Sequence, residues 1–306
     1  MILITDIISS PLGHALLQLL LSQKEHEPVR VMVTPYDRLS HEDGFEPVVS
    51  SFYDLPSLDR ALKEVDTLLI STFNLFTDCR CGYLNLLHEA VAEGVKRIIF
   101  ISSAGRGDSV SLPMQENRET EMHIQQSGIP YAVFRVNILM ENLPFFIGTE
   151  QGTGIYYPAG NGRVGFVSVH DVAEAIPFVT GRFGVENRAY TLSHEITYSF
   201  DDIAAKLSQY YSGRVKYESV DLAFYRKTLL QMDIPDDTVD RLCSVAKAIS
   251  LNCYDLSDYT LKRLLGRHAE QEQLRQRIRR WFSQKESGPF LFGSQLTMLS
   301  DYLHGM

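Results

Sequence analysis

Met1-Ile-Leu-Ile-Thr-Asp-Ile-Ile-Ser-Ser-Pro-Leu-Gly-His-Ala-Leu-Leu-Gln-Leu-Leu-Leu21 is the stretch whose reading decides the fold. The apolar run Met1 to Ile4 predicts a buried strand. Asp6 to Leu12 predicts a turn, and from Gly13 onward Ala15, Leu16, Leu19 and Leu20 recur at helical spacing. A strand that feeds a helix through a tight turn is where doubly wound α/β proteins receive a dinucleotide pyrophosphate. That chemistry needs glycines, so that backbone amides approach the phosphates, and a helix N-terminus to meet their charge. Here the turn has the position but only one glycine, Gly13; Asp6, Ser9 and Ser10 stand where small uncharged residues are expected.

Working outward, strand and helix patterns alternate. Strands are predicted at Val29–Thr34, Pro47–Phe52, Thr67–Ser71, Arg97–Ser103 and Ile129–Val136. Helices are predicted from Asp54 to about Glu64, over Gly82–Glu93 with Gly94 as the stop, and over Gln115–Ser127 closed by Gly128. Strand–helix alternation with short links implies a parallel sheet with helices on both faces.

Past Asn137 the rhythm changes. Ile138–Phe146 is apolar and helical in pattern. Glu150–Gly165 carries five glycines and reads as a loop with a short hairpin. Phe166–Ile176 reads as a strand end followed by a helix capped by Asp171. Strands are expected at Ala189–Leu192 and Lys216–Val220, with a helix from Ser199 between them. Asp221–Phe282 is nearly all helical, broken at Pro235 and Gly266, and its last part, Glu270–Phe282, is amphipathic. The fold class is therefore α/β: a Rossmann-like doubly wound parallel sheet over 1–150 and a smaller, mostly helical C-terminal lobe over 151–283. The chain crosses back to the sheet near 166–193, and the tail 284–306 has no pattern.

The 306 residues carry a formal net charge of −9, with 44% hydrophobic and 22% charged residues. That balance argues against direct nucleic-acid binding and against an anionic membrane surface. The four cysteines lack paired Cys-x-x-Cys spacing, and the nine histidines are scattered, so no metal site is expected. Reduced thiols and the lack of a basic-then-apolar leader give a cytoplasmic expectation.

Several stretches together resemble the NmrA-like family of atypical short-chain dehydrogenases/reductases, and within it the bacterial NAD(P)H:quinone oxidoreductases. They are Ile98-Ile-Phe-Ile-Ser-Ser-Ala-Gly105, the run from Glu119-Thr-Glu through Ser127-Gly-Ile-Pro-Tyr-Ala-Val-Phe-Arg135, Met140-Glu-Asn142 and Phe166-Val-Ser-Val-His-Asp-Val-Ala-Glu-Ala175. Ala189-Tyr-Thr-Leu-Ser193, Ile196-Thr-Tyr-Ser-Phe-Asp-Asp-Ile-Ala204 and Leu264-Leu-Gly-Arg267 continue the likeness. The resemblance implies a Rossmann domain with a substrate lobe, an NADP or NAD cofactor, and a small-molecule ligand in the cleft between domains. It leaves room for a homodimer or a protein partner.

Departures from the family pattern fall on the cofactor side. Relatives carry Thr-Gly-Ala-Thr-Gly-x-Leu-Gly at the first turn. Here Thr5 is kept and Gly13 fits the last glycine, but the turn is one residue longer, Asp6 replaces the first glycine and a serine the second. Asp6 either points inward and repels phosphate, or faces out and bonds its own backbone. Thr34 stands where relatives pair the NADP 2′-phosphate with an arginine, and Arg38 lies a few residues on.

The cofactor candidates are Thr5, Ser9, Ser10, Leu12, Gly13, Thr34, Ser71, Phe73, Ser102 and Ser103. The substrate-pocket candidates are Asn137, Met140 and His170. Ser102 and Ser103 either face a nicotinamide or substrate, or cap the following loop; His170 either lines the pocket or holds backbone at a helix start. No catalytic residue is assigned. The Tyr-x-x-x-Lys pair of standard short-chain reductases is absent, and Tyr131 and Arg135, which imitate its spacing, lie in a strand and are assigned to the core. Where some relatives place a lysine or histidine, the chain reads Glu116-Asn117-Arg118. The sequence thus favours a binding or regulatory protein with a degenerate dinucleotide site. The alternative is an NAD(P)H-dependent reductase of quinones or similar small carbonyl compounds.

Overall fold

The alternation seen in the sequence is realised as β1 (Ile2–Ile4), α1 (Pro11–Ser22), β2 (Val29–Val33), β3 (Glu46–Val49), α2 (Leu55–Leu62), β4 (Thr67–Ile70), α3 (Arg80–Ala92), β5 (Arg97–Ser103), α4 (Leu112–Gln126) and β6 (Tyr131–Val136). A 3₁₀ turn (Met140–Asn142) and α5 (Leu143–Phe146) follow, then β7 (Gly154–Tyr156), β8 (Arg163–Val164), α6 (Val169–Thr180), β9 (Arg188–Leu192) and β10 (Tyr198–Ser199). The C-terminal part holds α7 (Phe200–Ser208), β11 (Lys216–Glu218), α8 (Leu222–Leu230), α9 (Asp236–Ser250) and α10 (Thr260–Leu265). The structure, a computed structural model, describes residues 1–5, 10–22, 27–35, 44–71, 78–107, 110–146, 154–180, 187–209 and 215–269. Asp6, Ser9, Arg38, Phe73, the predicted helix 270–282 and the tail 284–306 lie outside the described residues.

Seven strands form one sheet in the order β3-β2-β1-β4-β5-β6-β9, every pair parallel. Ile4 lies opposite Val31 on one side and Leu69 on the other. All five residues of β2 are buried, as expected for an interior strand covered on both faces. Alternate residues feed two cores. Leu3, Leu68, Ile70, Ile98, Phe100 and Val133 pack under α2, α3 and Ile124 of α4. Ile4, Val31, Leu69, Ile99, Ile101 and Phe134 pack under Leu12, Leu16 and Leu17 of α1 and Val172 and Ile176 of α6. Each fully buried Leu, Ile or Phe of this kind contributes roughly 1.5–3 kcal/mol. A third core, in the lobe, gathers Tyr157, Phe166, Phe200, Leu229 and Ile249.

The structure revises several boundaries. The helix expected from Gln115 begins at Leu112, because Pro113 suits the first turn, where its missing N–H is no loss. The expected hairpin in the glycine-rich stretch does not form: β7 pairs with β11 in parallel and β8 with β10 antiparallel, so both strands find remote partners. Two of those glycines serve close approach. A Cβ at Gly162 would stand 2.0 Å from the Ile249 carbonyl oxygen, and one at Gly165 would stand 2.2 Å from Ser193 Oγ. α6 is capped by Ser168, not Asp171: Ser168 Oγ accepts the Asp171 amide at 3.0 Å. The expected continuous helix past Pro235 stops at Ser250, and residues 251–259 cross back toward the sheet as irregular chain. Ser199 does start α7, through a reciprocal capping box with Asp202. No helix among the described residues is long and apolar enough to cross a membrane.

Candidate functional site

The order of strands reverses between β1 and β4, and ligands of open α/β sheets bind outside the carboxyl ends of strands at such a point. Thr5 ends β1 there. Its amide donates to Leu69 O at 3.1 Å, while its side-chain hydroxyl is buried with no hydrogen-bond partner. Buried hydroxyls are ordinarily satisfied, so this orphan fits a crevice that takes a polar ligand. Ser71, fully buried, follows β4 on the other side of the reversal.

Ser10 closes this crevice rather than opening it. It sits just before α1, and its Oγ accepts the Gly13 amide at 3.0 Å while reaching Ser71 O at 3.5 Å. A serine in that place is an N-cap, and it consumes one of the orphan amides a helix offers to an anion. Pro11 has no amide to offer. Leu12 is fully buried in the core beneath α1, and Gly13 is buried beside it. Thr34 is exposed at the tip of β2, and the one arginine of that strand, Arg30, is turned away. Its Nη1 donates to Ala61 O at 2.9 Å and Lys63 O at 2.7 Å, and it pairs with Glu46.

At the end of β5 the two serines have different neighbours, and α4 supplies both. Ser102 is fully buried and donates to Glu121 Oε1 at 2.5 Å. Ser103 accepts from Asn117 Nδ2 at 2.6 Å, which leaves its own proton to donate. Glu121 is 2% exposed and takes a fork from Arg135: Nη2 to Oε2 at 2.6 Å, and Nε to both oxygens at 3.1 Å. Arg118 adds a second cation, donating from Nη1 to Glu121 Oε1 and, at 3.3 Å, to Ser102 Oγ. Burial pulls the Arg118 guanidinium below its ordinary range; Glu121 opposes that pull and the like charge of Arg135 adds to it. The assignment of Arg135 to the core is thereby corrected, since it is half-buried and ion-paired. One turn earlier, Glu116 pairs with Arg241 of α9 at 2.5 Å, with side chains 13% and 5% exposed, and this pair ties α4 to the lobe.

The three pocket candidates lie in different settings. Asn137 is fully buried: its Nδ2 donates to Ser193 Oγ at 2.9 Å and Tyr254 O at 3.1 Å, and its Oδ1 accepts the Ile138 amide. Met140 belongs to the lobe core, and its amide donates to Val167 O. His170 is exposed, with Nδ1 3.8 Å from Glu174. His170, Asp171 and Glu174 form the one cation-capable trio among the described residues. Arg267 already pairs with both of its carboxylates, at 2.8 Å from Asp171 and 2.6 Å from Glu174.

Asn117, Arg118 and Glu121 were not among the sequence candidates. Their 1,2,5 spacing puts Asn117 and Glu121 on one helical face with Arg118 at its edge. That was a legible signal; its convergence with Arg135 was not.

A parallel sheet with this reversal, strand-end hydroxyls and helices on both faces defines a Rossmann-type dinucleotide fold. The chain belongs to the NAD(P)H-binding family, whose model matches residues 9–177. It is 25% identical to quinone oxidoreductase 2 of Escherichia coli over 218 residues, spanning 71% of this chain and 76% of that protein. It is 26% identical to an NAD(P)H azoreductase of Xenophilus azovorans over 203 residues, 65% of this chain and 70% of the relative. The fold superposes on an NADPH-dependent quinone oxidoreductase of E. coli solved with NADPH. The TM-score is 0.80 at 24% identity, covering 92% of this chain and 100% of that one.

Proposed function

We infer that this protein is an NAD(P)H-dependent reductase of quinones or similar small conjugated acceptors. The observation that carries the reading is the strand-order reversal between β1 and β4, with the unpaired Thr5 hydroxyl at the end of β1 and, at the end of β5, a Ser103 hydroxyl that keeps its proton to donate. Thr5 and Ser71 would border the dinucleotide, with α1 behind its diphosphate. When bound, NAD(P)H supplies a hydride; the acceptor takes two electrons and two protons in all, and solvent supplies the remaining proton. Reduction of this kind needs no dedicated general base. The protein residues then have to position and exclude water. Asn117 holds Ser103 so that its hydroxyl donates to an acceptor oxygen, and Glu116 with Arg241 fixes α4 against the lobe. The relatives named for quinone and azo-compound reduction support this reading over a purely regulatory one.

A binding or regulatory role without turnover is the second reading. One observation favours it: Ser10 Oγ occupies the Gly13 amide. Titration with NADPH and NADH by nicotinamide fluorescence, followed by 1,4-naphthoquinone-dependent NADPH oxidation, separates the two. Micromolar binding with turnover supports the reductase. Silence to millimolar cofactor, with no rise in melting temperature, overturns it.

A further inference from the structure

The buried cluster under α4 carries more positive charge than its carboxylate balances. Arg135 alone satisfies Glu121, with both oxygens in its fork. Arg118 is therefore a second guanidinium on an acid already neutralised, so the trio holds one excess positive charge. Of the neighbouring acids on α4, Glu116 is paired with Arg241, while Glu119 shares Arg80 with Asp78, which takes its fork, so Glu119 offsets part of this charge from a distance without touching Arg118. Tyr254, the nearby phenol, is pushed up to about 12 by burial and is neutral at pH 7. Arg118 uses only Nη1, so its Nε and Nη2 have no acceptor among the described residues, and its side chain is 31% exposed. The exposed edge of this guanidinium is open to an anion from solvent. Its free nitrogens form a planar donor fork suited to carboxylate, sulfonate or phosphate.

We propose that Arg118, at the carboxyl end of β5, is a specificity-determining residue that binds an anionic substituent of the acceptor molecule. The substrates are flat acceptors bearing a carboxylate, sulfonate or phosphate, and Arg118 holds that group while the reducible part lies toward Ser103. The proposal rests on the reductase reading for its substrate class but not for its anion site. The other source of such an anion is a phosphate of the dinucleotide, and the experiment separates the two.

The kcat/KM ratio of 1,2-naphthoquinone-4-sulfonate to 1,4-naphthoquinone is measured for the wild type, Arg118→Gln and Arg118→Lys. In parallel, calorimetry measures binding of 2-naphthalenesulfonate, a flat anion that cannot be reduced, and of NADPH. The expected result is a ratio about tenfold lower in Arg118→Gln and partly restored in Arg118→Lys, with naphthalenesulfonate affinity falling in step. A ratio and a naphthalenesulfonate affinity that both stay unchanged overturn the proposal. So does a tenfold loss of NADPH affinity with sulfonate binding intact, which assigns the fork to the cofactor. Where neither quinone is reduced, the reductase reading fails on its own and the naphthalenesulfonate titration alone decides this proposal. Arg118→Lys keeps the charge beside Glu121, so it reports on the fork even where the glutamine variant fails to fold.

Discussion

Ser10 Oγ accepts the Gly13 amide at 3.0 Å, so the helix that should greet a diphosphate is already capped by its own chain. Ser10→Gly removes that acceptor and costs only a few tenths of a kcal/mol in capping. The expected outcome is severalfold tighter NADPH binding by fluorescence titration. An unchanged dissociation constant would place the obstacle elsewhere in the turn.

Glu121→Gln leaves two guanidiniums against a neutral amide in a site 2% exposed. Breaking a fully buried ion pair from one side destabilises by about 3–5 kcal/mol, and solvent at the two guanidiniums, 31% and 33% exposed, lowers that figure here. Urea unfolding at pH 7 is expected to show a loss of about 2–3 kcal/mol, and unchanged stability would contradict a structural role for Glu121.

Glu116 and Arg241 join α4 to α9 as a nearly buried pair. Arg241→Met alone strands the carboxylate and is expected to lower stability by roughly 3 kcal/mol. Adding Glu116→Leu should recover most of it, because two apolar groups need no partner. A double-mutant cycle in urea measures the coupling.

His194 is buried, with Nδ1 accepting the Ile196 amide at 2.9 Å. Burial holds its pKa below the ordinary 6.5, chiefly by desolvation. The sign follows from linkage: above pH 6.5 both folded and unfolded chains carry neutral imidazole, and below it the unfolded chain takes up the proton first. Stability from this group is thus complete above about pH 7 and falls as the pH drops through 6.5. His194→Asn keeps an acceptor for Ile196 and removes the titration, so melting temperature should fall less between pH 7.5 and pH 5.5 than in the wild type.

Gly162→Ala puts a methyl 2.0 Å from the Ile249 carbonyl oxygen, a backbone atom that cannot swing aside. Overpacking against main chain is expected to cost about 2 kcal/mol or more, read as a lower midpoint in thermal unfolding.

Local pattern carried most of the architecture. Apolar runs such as Ile98–Ile101 and helical spacing such as Ala15, Leu16, Leu19 and Leu20 are properties of neighbouring residues, so most strands and helices and the parallel sheet could be read directly, and β5 was read to the residue, although the face α1 buries most deeply is Leu12, Leu16 and Leu17. Ser199 with Asp202 was equally local, three residues apart on one turn. What only the tertiary structure decided is pairing at a distance. β7 finds β11 some 60 residues away instead of folding back on β8. Glu121 gathers Ser102 from β5 and Arg135 from β6, and Arg241 reaches Glu116 across 125 positions. A sequence lists such charges without saying which will share a buried volume. The folding of distant segments onto one buried carboxylate, not the identity of any one side chain, turns scattered ions into a single coupled cluster.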